Sequence, residues 1–386
     1  MQKNIEAVSN SSILIDDQYI PGLIIILNKF NMSKTLVDNI WNIPTGMIGH
    51  LNIDDLRISL KPNVYYLDNI DYLRLIQQSG VEKTQDGYLG IDVSNDKLED
   101  SIIKQFLFLI EKIISEGIPQ KYLSKNTRSQ YVKGIVDFPD SYKNYLLGEK
   151  NYINSSVEFL DINYLEMIII KAAYNKICKI SSKYKNYFII SSLSKIKREN
   201  IDYVASKSYI KVKKSYNSTT IQALELAVII INDLNDLKYN GNSSTSLILN
   251  SNKIFEDFVS NLLIKSFPRE RFLLQHESIS ASYDGRTIIA KPDILYLGPE
   301  KVIIDVKNKD FYKSITSDNF YQIFSYMNTL CINTGVLIYP CDKDSEIKLF
   351  KIPSNDKLKL YAVPINIKKQ NFTHFLDVFG GIIQYG

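Results

Sequence analysis

Asp305 and Lys307 stand one residue apart in Val302-Ile303-Ile304-Asp305-Val306-Lys307, an otherwise apolar run. On the period of two of a strand they share one face, while Val302, Ile304 and Val306 line the other. An acid-x-Lys triplet alone is a weak signal: about four are expected by chance in a chain of this composition. Three occur, Asp236–Lys238, Asp305–Lys307 and Glu346–Lys348. Only the middle one lies in an apolar β-run, follows a strand that contains Pro292-Asp293, and has an amphipathic helix with a border glutamate, Glu256, upstream. Pro292 cannot donate to a ladder, so it fits where a strand begins or bends, a place from which Asp293 can turn inward.

Carboxylates at Asp293 and Asp305, assisted by Glu256 and the main-chain carbonyl of Val306, make an oxygen-only donor set suited to Mg2+, with Mn2+ as a substitute. Such an ion supplies an activated water and stabilises charge on phosphorus oxygens, the two needs of phosphodiester hydrolysis. Lys307 is placed to orient the water or to neutralise the pentavalent phosphate. Downstream, Gln322 and Tyr326 form an i,i+4 pair at the edge of a helix, near enough to order Lys307 or a phosphate.

The elements that must hold these residues are readable from periodicity. Lys253–Phe267 carries Ile254, Phe255, Phe258, Val259, Leu262 and Leu263 on one broad helical face, with Glu256 at its border and Asp257 pointing away. Arg286–Leu297 and Lys301–Lys307 read as strands joined by a Gly298-Pro299 turn, and Asp318–Leu330 as a helix with Phe320, Ile323, Phe324, Met327 and Leu330 on its apolar face.

The whole chain reads as an α+β multidomain protein. Residues 1–118 form a β-rich domain, with apolar stretches at Ile13–Ile15, Leu23–Leu27, Leu56–Leu60 and Val64–Leu67. It closes with the amphipathic helix Lys97–Glu116, stopped by Gly117 and Pro119. Residues 119–240 begin with a strand at Tyr131–Phe138, become mainly helical over Asp161–Ile180 and Thr219–Leu237, and end in a polar linker at Tyr239–Ser246. Residues 241–386 bear the carboxylates. Lysine clusters at Lys195–Arg198 and Lys211–Lys214 are either a solvated face or phosphate contacts.

Length and composition exclude other classes. A chain of 386 residues exceeds one ordinary core, and its longest apolar runs, about five residues, are far short of the roughly 20 that span a bilayer. No secretory signal is visible in Met1–Ser12. Cys178, Cys331 and Cys341 lack metal-ligand spacing, and His50, His276 and His374 are scattered, so neither a zinc site nor a His-based triad is expected. The net charge of +4 leaves a polyanionic partner open.

Taken in order, Glu256, Pro292-Asp293, Asp305-Val306-Lys307 and Gln322-x-x-x-Tyr326 resemble the PD-(D/E)XK nuclease core with its Gln-x-x-x-Tyr extension. The wider chain resembles McrC, the nuclease subunit of McrBC-type and LlaJI-type restriction systems. Gly49–Pro62 is like that family's N-terminal strands, Val132–Phe138 is like its Gly-x-Ile-Asp-Phe segment, and Phe255-Glu256 matches its Phe-Glu helix. The resemblance departs at Lys133, with Val132, before Gly134, where the family often shows arginine. It implies that residues 241–386 are an α/β PD-(D/E)XK endonuclease domain with a mixed central sheet flanked by helices, and that the chain is a cytoplasmic bacterial or archaeal antiviral defence protein, a Mg2+-dependent endonuclease subunit that cuts double-stranded DNA. It also implies a partner, an McrB-like AAA+ GTPase hexamer engaged by residues 1–118, which binds the GTP, recognises and translocates the DNA, and has its hydrolysis stimulated. The absence of a Gly-x-x-x-x-Gly-Lys-Ser/Thr loop in this chain fits nucleotide binding elsewhere. Two alternatives stand beside it: a non-catalytic activator of the GTPase, and a stand-alone repair nuclease or resolvase.

Overall fold

The computed structural model describes residues 3–30, 32–79, 98–197, 218–239, 242–283, 286–313, 316–353, 355–369 and 371–385. The chain divides into two compact units, one made of Met1–Ser101 together with Asp233–Gly386, the other of Ile102–Asn232.

The first unit contains two main sheets. In one, the strand order is Lys3–Val8, Leu56–Lys61, Met47–Ile53, Asn242–Asn250, Leu234–Tyr239, with only the first pair parallel. The segment expected to be a linker therefore lies largely in a hairpin: Tyr239 ends one strand, Asn242–Ser246 opens the next, and 240–241 fall outside the described residues. Asn242–Ser246 pairs with Asn235–Tyr239, and the strand then runs on into a tertiary pairing. Met47–Ile53 has Leu56–Lys61 on one side only within its own segment, and its other row of N–H and C=O groups must be satisfied. Leu247–Asn250 meets that row in antiparallel register. Consequently the N-terminal and C-terminal segments join in one unit rather than in domains bounded at 118 and 240.

Leu23–Leu27 is helical, within Ile20–Lys29, not a strand. Pro21 sits in the first turn, where a missing N–H costs nothing. Leu23, Ile26 and Leu27 are buried at helical spacing, whereas Ile24 and Ile25 are exposed, a period masked by the uniform apolarity of the run. They pack with Trp41, Leu51, Ile53, Leu56, Ile58 and Leu60 in one core. Val64–Leu67 forms a turn, with Leu67 N–H donating to Val64 O at 3.0 Å. Helix Asn69–Ser79 follows, in a stretch expected to be β-rich.

The second sheet is mixed, in the order Phe272–Leu274, Ile294–Leu297, Lys301–Val306, Thr334–Cys341, Lys359–Asn366, Lys348–Lys351. Its three central strands are parallel and its outer pairings antiparallel. Helix Ser317–Leu330 makes the crossover between Lys301–Val306 and Thr334–Cys341, burying Ile323 and Met327 against Ile303, Leu337 and Tyr339. Val302, Ile304, Val336 and Ile338, on the alternate positions, are also fully buried, so both faces of the sheet are covered. Helices Ser251–Ser266 and Thr373–Tyr385 contact Lys301–Val306 and Lys359–Asn366.

The second unit is not mainly helical throughout. Lys121–Ser129, Ile135–Val136 and Ile153–Asp161 form a three-stranded antiparallel sheet. Of the expected strand Tyr131–Phe138 only Ile135–Val136 is paired as a strand; Asp137 caps helix Phe138–Leu146, its side chain accepting from Asp140 N–H. Helices Leu165–Ile180 and Ser218–Asn232 pack together. Arg198 and Lys211–Lys214 lie outside the described residues. Among the described residues no helix is long and apolar enough to cross a membrane.

Candidate active site

Antiparallel pairing of Ile294 with Ile304 sets Asp293 beside Asp305 at the ends of neighbouring strands. Asp293 turns inward as expected of a residue after proline: its Oδ2 accepts from Val306 N–H at 2.8 Å. Asp305 is 2% exposed on a strand otherwise apolar. Lys307 Nζ lies 2.5 Å from Asp305 Oδ2, an ion pair between two largely buried side chains. The strand ends at Val306, and Lys307 is held past it by its N–H to Ile338 O at 2.8 Å.

From the crossover helix, Gln322 Oε1 accepts from Lys307 Nζ at 2.8 Å, and Gln322 Nε2 donates to Tyr326 Oη at 2.9 Å. The i,i+4 pair thus fixes the ammonium from the side opposite the sheet. Glu256 is half-buried, as the helical phase requires, and Asp257 is exposed. Lys253 Nζ bonds both, at 3.2 Å and 2.7 Å.

Gln275 was not singled out by sequence reasoning. Its Nε2 donates to Glu256 Oε1 at 2.8 Å and to Asp293 Oδ1 at 3.2 Å, drawing two carboxylates to one donor. Its N–H also binds Asp293 O at 2.9 Å, and its φ of 51° places a non-glycine residue in the left-handed region. That strain, at a residue touching two acids, is the sort that functional sites retain. Glutamine after an exposed Leu273-Leu274 has no periodicity or motif to mark it.

Electrostatics distinguishes these acids from surface ones. Burial, then the Asp305 carboxylate, push Asp293 up to about 6, against the pull of Val306 N–H, Lys307 and Gln275. Burial, then the charge of Asp293, likewise raise Glu256. Like charges gathered in a poorly hydrated place resist ionisation together, and a cation relieves them.

The family model for McrBC 5-methylcytosine restriction system components matches residues 44–340. The chain belongs to this family. The McrBC match takes in Glu256, Asp293, Asp305, Lys307, Gln322 and Tyr326 alike. A chain from the refined half-complex of the tetradecameric assembly of Thermococcus gammatolerans McrB AAA+ hexamers with bound McrC is similar in fold. Its TM-score is 0.57 at 17% identity, over 99% of this chain and 100% of that one. A chain of the Thermococcus gammatolerans McrBC complex, solved by cryo-EM, aligns over 68% of this chain and 88% of its own length, with TM-score 0.40 and 15% identity. No curated protein matches.

Whether the residues of this McrBC chain fit a divalent metal can be judged on their own chemistry. Among the described residues no three His, Cys, Asp or Glu side chains are grouped so as to enclose an ion by themselves. Asp293 and Asp305 are two hard carboxylates, and Asp305 Oδ2 is a buried oxygen without a hydrogen bond. Magnesium commonly takes one or two carboxylates and keeps several waters, so this set fits it. Glu256 joins through the Gln275 amide.

Proposed function

We propose that this chain is the metal-dependent DNA endonuclease subunit of an McrBC-like restriction system, with a PD-(D/E)XK site at Asp293, Asp305 and Lys307. The observation that carries the reading is the convergence of Asp293 and Asp305 on adjacent strand ends, with Lys307 Nζ 2.5 Å from Asp305 Oδ2. Asp293, Asp305 and the Val306 carbonyl would hold a magnesium ion, whose bound form supplies a water of lowered pKa and Lewis-acid stabilisation of the phosphate. Lys307, oriented by Gln322 and through it by Tyr326, presents an ammonium to the attacking water or to the developing phosphorane charge. Gln275 and the Val306 N–H hold Asp293 in place.

The partner is an AAA+ GTPase hexamer that recognises and translocates the DNA, and whose GTP hydrolysis this chain stimulates. A surface suited to it lies in the second unit. Helix Phe138–Leu146 has no buried residue, and Tyr131, Ile135, Phe138, Tyr142, Leu146 and Leu147 are exposed by half or more of their surface. So much unpaired apolar and aromatic surface marks a protein interface. This exposed surface, which takes in the Val132–Phe138 segment, supports partner engagement better than residues 1–118, whose sheet is tied into the same unit as the carboxylates.

The test uses one preparation of the full chain with an McrB-like AAA+ GTPase partner. DNA cleavage with Mg2+ and GTP, together with stimulated GTP hydrolysis, is the expected result. Stimulation without cleavage would make the chain a non-catalytic activator; cleavage by the chain alone at full rate would make it a stand-alone nuclease.

A further inference from the structure

A second group of buried polar side chains lies beside the carboxylates and is not used by the proposed chemistry. Tyr72, in helix Asn69–Ser79, is fully buried, and its hydroxyl donates to Asn308 Oδ1 at 2.7 Å. Asn308 follows Lys307 directly and is itself 5% exposed. Its Nδ2 donates to Ser251 Oγ at 2.9 Å and Asn252 Oδ1 at 3.1 Å, so both polar atoms of its amide are occupied. Ser251 opens the helix that carries Glu256, and its N–H and hydroxyl both donate to Gly46 O, at 2.7 Å and 2.9 Å. Gly46 in turn donates to Ser9 Oγ at 2.5 Å. A Cβ at Gly46, where φ is +82°, would run into the Asn252 side chain.

One hydrogen-bonded chain thus joins five places far apart in sequence: Ser9 in the N-terminal turn, Gly46, helix Asn69–Ser79, the start of the Glu256 helix, and the residue after Lys307. The strand ends at Val306, so beyond it the path of the main chain is not fixed by a ladder on both sides. Lys307 must nonetheless bring its ammonium to Asp305 and Gln322 at once. Asn308 is the next residue along, and it is clamped from two directions. A fully satisfied buried network of this kind has one geometry, because any displacement strands a donor or acceptor without water to replace it.

We propose that Tyr72 and Asn308 are positioning residues of the nuclease site: through them the N-terminal helix sets the direction of Lys307 and the placement of the Glu256 helix against it. The consequence for cleavage rests on the nuclease reading; the positioning itself does not. Tyr66 supplies a matched comparison. Its hydroxyl also ties the N-terminal segment to the second sheet, donating to Pro340 O at 2.8 Å and accepting from Phe311 N–H at 3.4 Å, but neither partner is Lys307 or its chain neighbour.

The experiment compares Tyr72→Phe, Asn308→Ser and Tyr66→Phe in the full chain by amide hydrogen exchange over residues 303–309, by calorimetric Mn2+ binding, and by DNA cleavage with the GTPase partner. Tyr72→Phe and Asn308→Ser should speed exchange at 305–308 about tenfold or more, weaken Mn2+ binding about fivefold, and lower kcat about tenfold with KM for DNA nearly unchanged. Tyr66→Phe should leave all three within about twofold, even where its melting temperature falls as far. Exchange at 305–308 that is the same in Tyr72→Phe and Asn308→Ser as in Tyr66→Phe would overturn the proposal. A wild-type chain that neither binds Mn2+ nor cuts DNA would instead defeat the nuclease reading, and the exchange comparison would still decide the role of the pair.

Discussion

The main-chain N–H of Val306 donates to Asp293 Oδ2 at 2.8 Å, binding the aspartate that precedes one strand to the middle of the Asp-Val-Lys triplet on the next. The contact explains how an acid that burial and a neighbouring carboxylate hold near 6 still keeps a fixed orientation. A carboxyl group in either protonation state can accept from that N–H, and so can the oxygen of an asparagine.

The pH dependence of stability follows from the same shift. Asp293 binds its proton more tightly in the folded chain than in the unfolded one, so its contribution to stability falls as pH rises from about 4 to about 6 and stays low above that. Asp293→Asn removes the penalty. The variant should be more stable than wild type at pH 7, by on the order of 2 kcal/mol, and the difference should disappear near pH 4. Denaturant unfolding of both proteins across this range checks it. Added Mg2+ should stabilise wild type alone, and the variant should not cut DNA.

Lys307→Met leaves the buried Asp305 carboxylate without its counter-charge. Breaking such a pair from one side costs about 3 kcal/mol. Adding Asp305→Asn should recover a good part of that loss, because the stranded charge goes with it. A double-mutant cycle on unfolding free energies reads the coupling, which vanishes if the 2.5 Å approach has no energetic weight. Both proteins should be inactive in cleavage.

Gln275→Ala removes the donor that Glu256 and Asp293 share. In the absence of divalent metal the variant should lose about 1–2 kcal/mol, the cost of two half-buried acids left with one partner fewer. With saturating Mg2+ the loss should shrink. A melting-temperature comparison with and without the ion suffices; an equal loss in both would mean that the glutamine supports the loop rather than the acids.

Gly134 adopts φ +74°, and a Cβ there would strike the Ser156 carbonyl oxygen. Gly134→Ala should therefore distort the turn that leads into Ile135–Val136, costing about 1 kcal/mol or more. Stimulation of GTP hydrolysis should fall severalfold, while Mn2+ binding, which depends on the other compact unit, should not change. Loss of both would contradict the separation of tasks between the second unit and the carboxylates.

Local pattern alone determined most of the pieces of the site. The alternation in Val302–Lys307 put Asp305 and Lys307 on one face, helical phase put Glu256 at a border and Asp257 outside it, and i,i+4 spacing paired Gln322 with Tyr326. Each depends only on the geometry of one element, which neighbouring residues dictate. The helices at Leu98–Ser115, Ser251–Ser266 and Ser317–Leu330 are legible for the same reason. Leu23–Leu27 was not, since an apolar run has no contrast from which to read a period. The Tyr239–Ser246 segment, polar and without an apolar anchor, reads as a linker, yet Asn242–Ser246 pairs with Asn235–Tyr239 in a hairpin whose second strand continues at Leu247–Asn250 onto Met47–His50, about 200 residues away. Gln275 and the Tyr72–Asn308 bond belong wholly to the tertiary structure. Polar residues of unremarkable type acquire a role only when the fold removes water and leaves a particular donor facing a particular acceptor, and no spacing along the chain records that meeting.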